Sequence, residues 1–474
     1  MLTRIEIDGF KTFRAFALDV PSFLVVLGRN ASGKSNLFDA IQFLRLVSQG
    51  TLLEATKDMR GDFVELFHRQ VDGSRMRRMT FAAETLVPGT VTDSFGDSEA
   101  VTHTRLRYEL AVELRSNARG ERPYVVHEAV RLIRKTGDRW ARRLPPELRA
   151  AAAVYSKSST DPLETVLVHD RPTFVLSSGQ RGRRRQLPAT EATATVLSSL
   201  TTASEFPLLY AIKRELQSWR LLQVDPAALR SPSAYDDPDT LSMSGANLAN
   251  VLRRMADDTA TPDRPDGLLS DVVADLAAVI PGVRDLRIVE DDSRRQRHLE
   301  VTMRGEANYS ARLASDGTLR TLALLTALYD DRDAGLICFE EPENGMYPGR
   351  LVEFLGHLRR CVAPPHSMDS RRGPRLRQLV VSSHSPAALR ALPPVRNGNV
   401  RDDIVFVDTV TRVDRSEPRS RISRVRWLRV DDQTVPRAMT DEDGDGGADP
   451  IVGEDGIVSD SEVDEFEVRD KLDR

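Results

Sequence analysis

Two cysteines in 474 residues, Cys338 and Cys361, exclude a disulfide framework and suit a reducing compartment. Long apolar runs are missing as well: none reaches the roughly 18 residues that a membrane helix needs. The opening MLTRIEIDGF alternates apolar and polar residues like a strand and does not read as a signal peptide. A soluble, cytoplasmic protein with no membrane partner is expected. A strong charge of one sign is also lacking, since the formal net charge is only -4. That figure hides an asymmetry. Asp441 to Arg474 carries 14 acidic and 3 basic side chains, and the rest of the chain 57 acidic and 64 basic. A mildly basic body with an acidic tail is compatible with a nucleic-acid or acidic-protein partner.

What is present is more specific. GRNASGKSN, Gly28 to Asn36, directly follows the apolar run FLVVL. The spacing G-x-x-x-x-G-K-S is that of a phosphate-binding loop, in which glycines let the backbone wrap round phosphate oxygens and successive N–H groups form an anion nest. Asn30, Ala31, Ser32, Gly33 and Asn36 belong to that cradle, with Lys34 reaching the outer phosphates and Ser35 offering its hydroxyl to Mg²⁺. The next segment, SNLFDAIQFLRLV, reads as a helix whose positive end faces the phosphates. Strand, loop and helix together point to a nucleoside triphosphate, with Mg²⁺ on the Ser35 hydroxyl.

The chain divides into four stretches. Residues 1–74 hold the strand, loop and helix. Residues 75–240 begin with long alternating strands (RMTFAAETLV, TRLRYELAVELR, YVVHEAVRLIR, ETVLVHDRPTFVL) and end with a helical stretch, FPLLYAIKRELQSWRLL, and a Pro/Ser-rich connector. Residues 241–430 open with two helices, SGANLANVLRRMADD and LLSDVVADLAAVI, before β/α alternation returns. Residues 431–474 are polar, Gly/Asp-rich and read as a disordered tail. In that tail Asp441, Asp443, Asp445 and Gly446 have EF-hand spacing, but Val452 stands where the bidentate glutamate belongs, so a solvated acidic tail is the better reading.

Four segments supply a second half of the site. GLICFEEPENGMYP is a buried strand ending in Glu340 and Glu341, and ligands of doubly wound sheets sit at the carboxyl ends of strands. One carboxylate can hold Mg²⁺ and the next can polarise an attacking water. QLVVSSHSP is another short strand, ending in His384, which can contact a γ-phosphate or orient water. In LASDGTLRTLALLTAL, Ser315, Asp316 and Gly317 start a helix, a good N-cap and a second anion-binding end. ELFHRQ places a polar side chain, Gln70, where it can sense the metal.

Together these segments resemble the ABC/SMC/RecF-like ATPases, AAA-type prokaryotic proteins that include the OLD group. GRNASGKSN looks like Walker A, LICFEEPE like Walker B, LASDGTLR like the signature motif, ENGMYP like the D-loop region and SSHSP like the switch histidine. MLTRIEIDGFKTF is similar to the opening strand and SGANLANVL to the middle helices. The resemblance implies an α/β ABC-type head with an inserted α+β region, and an Mg-dependent ATP phosphohydrolase. It makes Glu340 and Ser35 metal ligands, Glu341 the catalytic base, His384 the γ-phosphate sensor and Gln70 the Q-loop residue. Ser315 and Gly317 would contact ATP bound to a partner subunit, so ATP would join two heads into a homodimer or higher oligomer. Glu340 stands where most ABC proteins have aspartate, and Tyr347 where this subgroup usually has histidine. No long heptad region separates the two halves, which excludes an SMC-type arm. Two functions fit: regulation of a separate effector, a nuclease or toxin, in anti-phage defence, or DNA repair and chromosome maintenance of the RecF kind. In the second, the clusters Arg181–Arg185, Arg294–Arg297 and Arg371–Arg377 would meet DNA phosphates.

Overall fold

The computed structural model describes residues 1–429 apart from 119, 145–152, 179–183, 306–307, 331, 333–334, 363–376, 392–395, 398–399 and 413–417, together with 457–458. Its centre is a sheet in the order Arg220–Leu222, Leu336–Glu340, Gln378–Ser383, Phe23–Leu27, Val400–Arg412, Ser420–Arg429, Ile457–Val458, with Arg396–Asn397 pairing at one side. The first five strands run parallel. Their apolar runs are continuous because both faces are covered. Leu24, Val26, Leu336, Cys338 and Val380 point into one core, and Phe23, Val25, Leu27, Ile337, Phe339, Leu379 and Val381 into the other.

The first core is closed by the helix Lys34–Val47 and by an eight-stranded antiparallel sheet. That sheet runs Arg184–Pro188, Arg171–Ser177, Leu163–Val168, Gly120–Leu132, Arg105–Asn117, Arg78–Leu86, Leu2–Asp8, Phe16–Asp19. It thus takes two strands from before residue 75 and six from after it. Phe10, Phe43 and Phe81 join the helix to the sheet, with ring centroids 5.2–6.0 Å apart. The second core is closed by the helices Leu248–Thr259, Leu269–Val279, Asp316–Tyr329 and Pro348–Cys361 and by the hairpin Val283–Asp291/Gln296–Met303.

Two segments depart from their sequence reading. FPLLYAIKRELQSWRLL is helical only over Pro207–Gln217; Arg220–Leu222 then pairs in parallel with Ile337–Phe339 as the sheet's edge strand. Tertiary pairing overrides the helical periodicity there. ETVLVHDRPTFVL is two strands, not one. His169 and Asp170 turn the chain with φ of 48° and 61°, the positive pair that a tight type I′ hairpin demands. The acidic tail and its DEDGDG stretch lie outside the described residues, except for Ile457–Val458. Among the described residues no helix is long and apolar enough to cross a membrane.

A carboxylate sits within the first core. Glu128 is fully buried and accepts hydrogen bonds from the Val196 and Leu197 backbone N–H groups (2.5 and 3.2 Å) and from the Tyr108 hydroxyl (3.1 Å). Burial outweighs these bonds and pushes its pKa from 4.5 up to about 7. Between those values the folded chain holds a proton that the unfolded chain releases. Stability therefore falls as pH rises through that window, by about 1.4 kcal/mol per unit. Urea unfolding from pH 5 to pH 7 should show this slope, and Glu128→Gln should flatten it. An unchanged slope in the variant would assign the effect elsewhere.

Candidate functional site

Parallel pairing brings three strand ends to one edge. Ser383 is in register with Leu27, and Ser382 with Glu340. The phosphate-type loop, the two carboxylates and His384 therefore leave the sheet side by side.

The loop conformation follows from its sequence. Ala31 has φ 62° and Gly33, which begins the helix Lys34–Val47, has φ 105°. A Cβ on Gly28 would run into the Val407 carbonyl, and one on Gly33 into the Ser423 hydroxyl. The C-terminal hairpin thus packs directly against the loop. Ser423 Oγ donates to the Ser32 carbonyl at 2.7 Å, and Thr12 stands 2.7 Å from the same hydroxyl. Asn36 gives its amide to Thr12 (2.8 Å), so the structure turns it into the fold. Asn30 and Ala31 are exposed and Ser35 is half-buried.

Lys34 is buried, and its ammonium donates to the carbonyls of Gly28 (2.6 Å) and Arg29 (2.9 Å). Burial lowers its pKa, against the opposing pull of Glu341, Glu343 and Glu340. Glu340 is held from both sides. Arg60 donates to one of its oxygens at 3.0 Å, and Gln223 donates to the other. Arg60 also pairs with the buried Asp39 (3.4 Å), which Lys11 meets at 2.6 Å. Glu341 has φ 50°, a strained conformation for this residue. Its N–H is anchored on the Ser382 carbonyl (2.9 Å), and its carboxylate accepts from Asn344 (2.7 Å). His384 Nδ1 lies 3.9 Å from Glu341 and 3.1 Å from Glu343. Glu343 further accepts from Ser383 Oγ and from the His384 N–H, both at 2.8 Å.

Ser315 caps the helix Asp316–Tyr329 through the Thr318 N–H (3.2 Å). A Cβ on Gly317 would stand 2.6 Å from the Gly345 carbonyl, so only glycine lets this helix touch the ENGMYP turn. Arg320, one turn on, donates to the carbonyls of Glu341 (3.2 Å) and Val224 (3.0 Å). The Gln70 side chain accepts from Ser74 Oγ at 2.5 Å within a local turn. Arg294 and Arg297 face Asp291 (3.9 Å) and Glu290 (3.1 Å), and Arg297 stacks on Tyr235. In the other two clusters Arg181, Arg183, Arg371, Arg372 and Arg375 lie outside the described residues.

These residues fit a nucleoside triphosphate with Mg²⁺. A helix N-terminus opens behind the loop, the Ser32 hydroxyl is buried without a hydrogen-bond partner, and a buried ammonium spends its protons on loop carbonyls. The hydroxyl of Ser35 and the carboxylate of Glu340 are the hard oxygen donors that Mg²⁺ takes.

Residues 23–390 match the family described as "AAA domain, putative AbiEii toxin, Type IV TA system". The chain belongs to this family. It is an AAA-type domain. Over 75 residues it is 36% identical to the chromosome partition protein Smc of Methanocaldococcus jannaschii, a stretch that is 14% of this chain and 6% of that protein. An Smc head bound to the C-terminal winged-helix domain of ScpA is 12% identical, with a TM-score of 0.48 over 89% of this chain and 97% of the other. The Pyrococcus furiosus Smc head with an extended coiled coil, bound to the ScpA C-terminal domain, is 12% identical at TM-score 0.44, over 89% and 96%.

Four residues of this AAA domain's site escape sequence reading. Glu343 had a signal, as the third acid of EEPE. Gln223 closes the run RLL, but that run reads as helix. Arg60 lies in a loop and Ser423 in a distant hairpin, and neither has a local pattern. For Ser423 the expected effect is definite: Ser423→Ala removes one hydrogen bond to the loop, about 1 kcal/mol, and should weaken binding of a fluorescent ATP analogue about fivefold. Equal affinities would mean that the hairpin does not brace the loop.

Proposed function

We propose that the chain binds and hydrolyses ATP with Mg²⁺, holds the nucleotide between two copies, and uses the cycle to regulate a partner effector, a nuclease or toxin, in anti-phage defence. The convergence of Lys34, Glu340, Glu341 and His384 on one sheet edge carries this reading. Mg²⁺, held by Ser35 and Glu340, supplies charge neutralisation at the transferring phosphoryl group. Lys34 turns from the Gly28 and Arg29 carbonyls to the outer phosphates. Glu341 aligns a water and takes its proton, kept in place by its anchored backbone and by Asn344. His384, fixed by Glu343, faces the terminal phosphate. Arg60 and Gln223 restrain Glu340.

The two-copy arrangement draws support from the surface beside Ser315. Leu313 and Tyr347 are large apolar side chains left 77% and 76% exposed, one two residues before the cap and the other two residues beyond the Gly345 turn that touches Gly317. Apolar groups at such positions suit burial by a second head. The defence reading leans on the family's description as an AbiEii-type toxin. A chromosome-maintenance role is favoured by the match to a chromosome partition protein, but that match covers 6% of the relative, and two of the three arginines in the Arg294–Arg297 cluster already face neighbouring acids.

The deciding measurement is the solution mass of Glu341→Gln with and without ATP and Mg²⁺. ATP is expected to double the mass, Ser315→Arg to prevent doubling, and Glu341→Gln to slow ATP turnover by roughly 10²–10⁴-fold. A monomer that turns over ATP unaided would sink the two-copy site.

A further inference from the structure

On the side of the second core, three helices meet at a cluster that the nucleotide site does not use. Asp275 comes from Leu269–Val279, and His357 and Cys361 from Pro348–Cys361. His357 and Cys361 are four residues apart and so share one helix face. His357 Nε2 lies 3.3 Å and Cys361 Sγ 3.6 Å from Asp275 Oδ2, and all three ligand atoms lie within 4.8 Å of one another. All three residues are part-buried, the His357 side chain being 13% exposed and that of Asp275 23%. Although His357 Nε2 faces the carboxylate, it is buried without a hydrogen bond of proper geometry. Tyr329, last residue of the helix Asp316–Tyr329, donates to Asp275 Oδ2 at 2.5 Å.

We propose that Asp275, His357 and Cys361 form a binding site for a tetrahedral divalent transition metal, Zn²⁺ by preference. Zinc bonds of about 2.0 Å to nitrogen and oxygen and about 2.3 Å to sulfur, at tetrahedral angles, set ligand atoms roughly 3.3–3.6 Å apart. The two distances to Asp275 Oδ2 are of that size before any rearrangement. Thiolate, imidazole and carboxylate form a borderline set that selects zinc over magnesium or calcium. Three protein ligands leave a fourth position for water, and Tyr329 donates to the same Asp275 Oδ2, fixing the position of that oxygen. The ion would fasten the helix after the ENGMYP turn to the helix Leu269–Val279 and to the end of the helix that Ser315 starts. Without an ion, the same groups make a His357–Asp275 ion pair.

The test uses the full chain stripped with EDTA and titrated with Co²⁺, alongside metal analysis of the protein as purified. One equivalent of zinc is expected, with a thiolate-to-Co²⁺ charge-transfer band and the visible bands of a tetrahedral ion. Cys361→Ser should abolish the charge-transfer band while Cys338 remains. His357→Gln should weaken Co²⁺ binding by more than about tenfold, the least that loss of a residue behind a ligand costs. Added Zn²⁺ should raise the melting temperature of the wild type and leave both variants unmoved. Circular dichroism confirms that the variants are folded, so that a lost band reports on the ligand. A wild-type cobalt complex without the thiolate band, or a band that survives Cys361→Ser, would overturn the proposal, and the cluster would be an ion pair only.

Discussion

Everything at the candidate site depends on the parallel pairing of Phe23–Leu27 with Gln378–Ser383, and of that strand with Leu336–Glu340. A parallel ladder points all its carboxyl ends the same way. The loop, the carboxylate pair and the histidine therefore emerge together although the loop lies more than three hundred residues before the other two. The ladder tolerates little slippage. Alternate residues of each strand are committed to opposite cores, so a shift of one residue would exchange the two sets of apolar side chains. Hydrophobic packing on two faces thus sets the placement of polar groups at the edge.

A chain of charges links that edge to the periphery. Lys11 meets Asp39, Asp39 meets Arg60, and Arg60 meets Glu340, whose other oxygen takes the Gln223 amide. On the opposite face Arg320 ties the helix that Ser315 caps to the backbone of Glu341. The turn carrying Glu341 is thus tied to elements of both layers, and the strained backbone at Glu341 is held by neighbours on each side. In the two-copy reading proposed above, this connection would let Glu341 register what docks at the helix that Ser315 caps.

Much of this was legible in the sequence because its signals are local. The loop has its own spacing, the buried strands are continuous apolar runs ending in polar residues, and Ser315 precedes a clear helical period. The rest was set by pairing across the chain. RLLQ reads as the end of an amphipathic helix until Leu336–Glu340 offers it an edge, and only then does Gln223 reach Glu340. ETVLVHDRPTFVL hides its turn because His169 and Asp170 lack the glycine that usually marks such a bend. Gln70 shows the reverse case. A polar residue in a suggestive segment takes its partner, Ser74, from four residues away.

The brace on the phosphate loop has a consequence for how the protein is made. Ser32 and Ser423 are 391 residues apart, so the loop is synthesised long before its support. While the nascent chain grows, strand Phe23–Leu27 waits for both of its neighbours, Gln378–Ser383 and Val400–Arg412. Such non-local closure is slow and leaves apolar edges open in the interval. Competence to hold nucleotide would then wait for that hairpin, and a ribosome that stopped short of it would release a chain with the motif but without its brace.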